Sequence, residues 1–199
     1  MNPELKSKIV SAQRLHGWCG LEKAERLALL ILDAAPQITV EIGVYGAKSL
    51  VPMALAAQQY GGAVFGIDPW TNAACLEGTN APENDEWWGK LDIDLIYRSA
   101  VDAVHAFKLS ATVELMRMTD TDAIIHFPDE SIGVLHVDGN HSPEVSRRYI
   151  EQWGPKIKHG GYLIMDDTDW PTQAETVKLI ESQYQRVTVT PSWAIYRKD

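Results

Sequence analysis

The chain has 199 residues, 45% of them hydrophobic, with 18 basic against 27 acidic side chains and a formal charge of −9. That length suits a single domain over residues 1–199, the acidic balance argues against a nucleic-acid partner, and no apolar run approaches the roughly 18 residues of a membrane span. Only Cys19 and Cys75 are present, without metal-ligand spacing, so no disulfide framework is expected and a reducing, cytoplasmic setting fits.

Asn2-Pro3-Glu4 reads as cap, first helical position and first-turn acid of a helix running to about His16, with Leu5, Ile9 and Ala12 on one face. After Gly17 and Gly20, the spacing of Ala24, Leu27, Ala28 and Ile31 predicts a second amphipathic helix, stopped before Pro36. These N-terminal helices, residues 1–36, either pack on a sheet, cover the mouth of a site or form a homodimer surface. Residues 37–50, QITVEIGVYGAKSL, organise the rest. Ile38, Val40 and Ile42 alternate with Thr39 and Glu41 as a buried strand, Gly43 and Gly46 allow a tight turn, and a helix starting near Ala47 offers free backbone N–H groups to a ligand.

The pattern Glu41-x-Gly43-x-x-Gly46 lacks the first glycine of a dinucleotide fingerprint, and its carboxylate would repel a pyrophosphate, which ranks a nicotinamide cofactor low. A carboxylate there suits a cationic amino acid, and S-adenosylmethionine carries an ammonium, a sulfonium and a ribose. A plain glycine turn is the other reading of the same residues. Residues 63–67 form a second buried strand ending in Asp68-Pro69-Trp70. An acid 22 residues after Gly46 stands where a ribose diol is held in nucleoside-binding sheets; alternatively, Asp68 only opens a turn with Pro69.

Residues 71–85 are polar and without period, a mobile loop; continued through Trp87-Trp88, residues 71–90 read as a lid or as a surface insertion anchored by its tryptophans. A helix over about 86–108 returns the chain to a third strand, 112–116. Thr119-Asp120-Thr121-Asp122 caps a short helix through Ile125, where Asp120 either meets an adenine edge or serves only as a cap. The fourth strand, 132–137, contains His136, read as a core residue, and ends in Asp138-Gly139-Asn140-His141-Ser142-Pro143, whose last two residues open a helix to Trp153. Gly160-Gly161 leads into a fifth strand, 162–165, ending in Asp166-Asp167. Thr172 and Glu175 fit a capping box, and 187–190 with 193–196 form a closing antiparallel pair.

Ligands of a parallel sheet lie outside the carboxyl ends of its strands, which gathers Asp68, Asp138, Asp166 and Asp167 at one rim. Asp138 and the Asp166-Asp167 pair end consecutive strands about 5 Å apart, so their charges repel unless a hard cation joins them; oxygen ligands suit Mg²⁺, or Mn²⁺ as a substitute. Such a metal would also acidify an acceptor hydroxyl. Histidine as a residue type titrates near neutrality, so His141 either suits the role of base or braces the helix start.

The order of these elements from Gln37 onward resembles the class I S-adenosylmethionine-dependent methyltransferases. Val137-Asp138-Gly139-Asn140-His141-Ser142 and the run from Gly160 to Asp167 resemble the branch of macrocin and aminocoumarin sugar O-methyltransferases and the cephalosporin hydroxylase-like proteins. The resemblance implies a Rossmann-like, doubly wound, mostly parallel seven-stranded α/β sheet with an antiparallel last strand and helices on both faces. It further implies Mg²⁺ on Asp138, Asp166 and Asp167, with Asp138 as a candidate general base. The expected cofactor set is then Glu41, Gly43, Gly46, Ser49, Asp68, Trp70, Asp120 and Asp138; the catalytic candidates are Asp138 and His141; the expected acceptor is a small hydroxylated molecule, a sugar or other vicinal diol. A metal-independent N- or O-methyltransferase and a non-catalytic nucleoside-binding domain are the alternatives.

Overall fold

A computed structural model describes all 199 residues. Strands β1 (Ile38–Ile42), β2 (Ala63–Ile67), β3 (Val113–Met116), β4 (Ile132–Val137), β5 (Ile157–Asp166), β6 (Gln185–Val189) and β7 (Trp193–Arg197) form one sheet in the order β3-β2-β1-β4-β5-β7-β6. The first five pair in parallel, and β7 is antiparallel to both neighbours, as the sequence predicts. No helix is long and apolar enough to cross a membrane.

The period of two along each strand divides the core. Val64, Val134, Ile164 and Ile195 pack with helices α1 (Pro3–Ala12), α2 (Leu21–Ala34) and α3 (Leu50–Ala57) on one face. Val40, Ile42, Leu135, Val137, Leu163 and Met165 pack on the other face with residues of α8 (Pro143–Trp153) and α9 (Ala174–Gln183). This parity decides where polar strand residues go. Glu41 lies between Val40 and Ile42, His136 between Leu135 and Val137, and Asp166 follows Met165, so all three turn toward the N-terminal helices.

Local chemistry explains the helix ends. The Asn2 side chain accepts the Leu5 N–H at 2.8 Å, and α1 stops at Ala12, earlier than expected, because the chain must turn through Gly17 at φ +127°. The helix expected over 86–108 is two: α5 (Pro82–Gly89) and α6 (Ile93–Ala106), the second restarted by Asp92, whose carboxylate accepts the Leu95 N–H at 3.0 Å. The aperiodic stretch before it contains a short helix, α4 (Asn72–Cys75), capped by Thr71. The remaining short helix, α7 (Asp120–Ala123), is capped by Thr119 as its sequence predicts. The capping box at Thr172 does not form; Pro171 opens a 3-10 turn over Pro171–Gln173, α9 starts without a side-chain cap, and the Thr172 hydroxyl is buried without a partner.

Candidate functional site

Ile42 and Val137 are register partners, so the segments leaving β1 and β4 run side by side. The Asp138 N–H donates to the Ile42 carbonyl at 2.9 Å. Gly43 sits at φ +85°, and a Cβ there would lie 2.2 Å from the Asp138 carbonyl oxygen, so glycine is required twice over. Gly46 is needed for packing: a Cβ would come within 2.6 Å of His16 in the N-terminal segment.

A cavity of about 700 Å³ opens at the carboxyl ends of β1, β2, β4 and β5, a size that suits a nucleoside cofactor with part of a second molecule. Of the residues singled out by sequence, Gly43, Ser49, Asp68, Trp70, Asp120, Asp138, His141, Asp166 and Asp167 line it. Glu41 and Gly46 do not. Glu41 is fully buried behind the wall, where its Oε1 lies 2.8 Å from Nδ1 of the equally buried His136. Burial pushes Glu41 up to about 8 and His136 down to about 3, which favours the uncharged form of both members of the pair. The expectation that the Glu41 carboxylate meets a cationic ligand is therefore corrected: strand parity turns it away from the cavity and toward α2.

Asp68 fastens the glycine turn to β2. Its Oδ2 accepts the Val44 and Tyr45 N–H groups at 3.1 and 3.0 Å, and its Oδ1 accepts the Trp70 N–H at 2.7 Å. A carboxylate has about four acceptor positions, which leaves capacity for a diol in the cavity. Trp70 adopts φ +45°, and its indole N–H donates to the Tyr45 carbonyl at 2.9 Å. Asp120 is engaged by Arg148 at 3.1 Å, and the same guanidinium reaches Glu77 at 2.6 Å. That ties α7 and α8 to the stretch after α4. Asn140 strengthens the tie by donating from its side-chain amide to the carbonyls of Ala74 and Glu77 at 3.0 and 2.9 Å. The segment read as a lid or as a surface insertion is thus fastened to α8 by Arg148 and to the loop after β4 by Asn140, neither of which carries a sequence signal for that role.

The aromatic residues gather at the mouth. Trp18, Tyr45, Trp87 and Trp88 have ring centroids 4.9–6.3 Å apart in successive contacts, and Trp18 and Trp87 are 66% and 42% exposed. Trp170 lies over His141 at 4.7 Å. Such rings offer flat apolar surface to a ligand.

The carboxylates at the rim do not converge on one open point. Asp167, in the left-handed region at φ +50°, places its Oδ2 2.9 Å from Nε2 of His141. Asp166 instead pairs with Nζ of Lys23, which also lies 3.8 Å from Oδ2 of Asp138, and the other Asp166 oxygen accepts the Asp167 N–H at 3.2 Å. Lys23 is a site residue that the motifs do not reveal. One signal marks it: it stands four and eight residues before Leu27 and Ile31, a charge on the apolar stripe of α2. Two sets bring ligand atoms within 4.8 Å of one another, His136 with Asp138 and Asp166, and Asp138 with His141 and Asp167; the expected trio of aspartates is neither. Burial raises the Asp138 carboxyl above the usual range, and Lys23 opposes that rise.

Residues 40–168 match the family of methyltransferase domains. Among solved structures, the chain is similar to the O-methyltransferase TomG of Streptomyces achromogenes, solved with S-adenosylmethionine (15% identity, TM-score 0.67, covering 100% of this chain and 91% of that one). It is also similar to an O-methyltransferase of Bacillus cereus solved with S-adenosylhomocysteine (13%, TM-score 0.68, 100% and 92%) and to the O-methyltransferase NovP (17%, TM-score 0.70, 90% and 80%). These likenesses show a shared fold. A curated relative, the uncharacterized protein y4gI of Sinorhizobium fredii, is 26% identical over 142 residues; the match takes in 70% of this chain and spans 14% of that protein's length.

The glycine turn and the buried pair behind it can each be tested. Gly61 has φ +80° and open space within 4 Å of where a Cβ would stand, whereas Gly43 has a similar backbone and no room. Gly61→Ala should cost only the left-handed penalty of about 1–2 kcal/mol, and Gly43→Ala clearly more, read as unequal losses in thermal melts; equal losses would contradict the required contact with Asp138. The second test concerns pH. Between pH 6.5 and about 8 the folded chain keeps a proton on Glu41 that the unfolded chain, with an ordinary carboxyl near 4.5, has released, so stability falls as pH rises through that window. Below about 6.5, protonation of His136 in the unfolded chain works in the opposite sense. Glu41→Gln should therefore flatten the fall in urea midpoint between pH 6.5 and 8, and an undiminished slope would show that another group causes it.

Proposed function

The chain belongs to the methyltransferase-domain family, and from that premise we propose that it moves a methyl group from S-adenosylmethionine to a hydroxyl of a small molecule, a sugar or other vicinal diol. The observation that carries this reading is a candidate base in an acid-lined cavity: His141, with Nε2 2.9 Å from Asp167, lines the same space as Asp138 and Asp68.

The residues suit that cofactor. When bound, S-adenosylmethionine supplies a methyl group on a sulfonium, activated toward attack by an oxygen lone pair. The acids lining the cavity favour a cationic ligand, Asp68 has acceptor capacity for a ribose diol, and Ser49 lines the wall close to the start of α3. Asp138 faces the same space and can accept from an ammonium or from the acceptor hydroxyl.

His141 is the base in this reaction. Its Nε2 lies 2.9 Å from Oδ2 of Asp167 but makes no hydrogen bond there, so charge rather than a fixed hydrogen bond couples the two; the tautomer with hydrogen on Nε2 would leave Nδ1 to take the acceptor proton. The Trp170 ring limits rotation of the imidazole. After transfer the proton stays on Nδ1, and the Asp167 carboxylate stabilises the imidazolium. The aromatic mouth supplies stacking surface for the acceptor ring, and the fastened segment after α4 restricts water.

A divalent cation on Asp138, Asp166 and Asp167 does not fit these residues as they stand, because Asp166 is already committed to Lys23. His141→Asn should lower kcat by about 10²–10⁴-fold with little change in affinity for S-adenosylhomocysteine, measured as label transfer from methyl-labelled cofactor to a panel of sugar and catechol diols. Unchanged turnover would remove His141 as the base.

A further inference from the structure

Lys23 reaches the rim from α2, outside the residues matched by the methyltransferase family. It is 6% exposed, its Nζ pairs with Oδ2 of Asp166, and Oδ2 of Asp138 is 3.8 Å away. His136 closes the pocket from behind, with its Nε2 3.8 Å from the same Asp166 oxygen. The space between the ends of β4 and β5 therefore holds an ammonium. A magnesium-like ion bound at about 2.0–2.1 Å from the same oxygens cannot share it, since the two cations exclude each other by volume and by charge.

We infer that Lys23 is the resident cation of this rim: it positions Asp138 and Asp166, offsets their repulsion, and lets this chain activate its acceptor without a divalent metal. A lysine suits the task. Its ammonium is a compact point charge with three donors, able to face two carboxylates at once, and its side chain is buried where it leaves α2. The one remaining ligand set, Asp138 with His141 and Asp167, would have to spend the His141 nitrogen on coordination and so lose the base. Lys23 acts through the aspartates and is a positioning residue. The turnover part of this inference rests on the methyl-transfer reading; the metal-binding part does not.

The test uses Mn²⁺ as the probe, followed by the electron paramagnetic resonance signal of the free ion, on the full chain after chelation and dialysis. Wild-type protein should bind no Mn²⁺ at micromolar concentrations. Lys23→Met, which removes the charge and keeps the stem, should bind one ion per chain about 10–100-fold more tightly than wild type, and Lys23→Met with Asp166→Asn should lose it again. In parallel, wild-type turnover should be the same in chelator and in Mg²⁺, while the Lys23→Met variant should regain turnover on addition of Mg²⁺. Tight stoichiometric Mn²⁺ binding by wild type, or wild-type turnover that depends on Mg²⁺, overturns the inference, as does a folded Lys23→Met that binds no ion. The wild-type Mn²⁺ titration stands even if the variant fails to fold. S-adenosylhomocysteine binding on the same preparation shows separately whether the methyl-transfer reading has failed.

Discussion

Carboxylates gathered at one edge of a sheet repel one another, and the way each is compensated sets the geometry of this site. Backbone N–H groups take up Asp68, Arg148 holds Asp120, Lys23 holds Asp166 with Asp138 near by, and His141 faces Asp167. In a chain with nine more acidic than basic side chains, these positive groups are few, and each has a specific place. Buried pairs of this kind add little net stability over apolar packing, but breaking one strands a charge. The arrangement is better understood as placing groups: His141 and the partly exposed Asp138 both line the cavity.

The N-terminal helices complete what the matched domain begins. They lie before residue 40, yet this part of the chain supplies Lys23 to the rim, Trp18 to the mouth and His16 to the contact that demands a glycine at position 46. Packing on the sheet and covering the site turn out to be one role. The face of the sheet that receives them is the face to which strand parity turns Glu41, His136 and Asp166, so the buried polar residues and their countercharge meet between the same two layers.

Much of this is legible in the sequence because it rests on local rules. The alternation in residues 38–42, the turn residues at Gly43 and Asp68, and the cap at Asn2 each depend on neighbours within a few positions, and β1, β2 and β4 have the expected bounds. The antiparallel last strand follows from the short link at Pro191-Ser192. What is not legible depends on contacts between distant segments. Glu41 precedes the glycine turn and so points to a ligand on sequence grounds, but parity and the cross-strand partner His136 decide its direction. The three aspartates suggest a metal because no partner stands near them in the chain; the partner is 143 positions from Asp166. The break between α5 and α6 is hidden in a run with helical character on both sides, marked by Gly89 at the end of α5 and Asp92 at the start of α6.

Everything proposed for the chemistry requires that the rim cavity hold S-adenosylmethionine. Calorimetric titration of the wild-type chain with S-adenosylhomocysteine isolates that requirement, because product binding needs the cofactor site and no acceptor. Binding at one site per chain is expected, with the same affinity in chelator and in Mg²⁺. Absence of binding under both conditions would refute cofactor occupancy and leave a methyltransferase fold that has lost its cofactor.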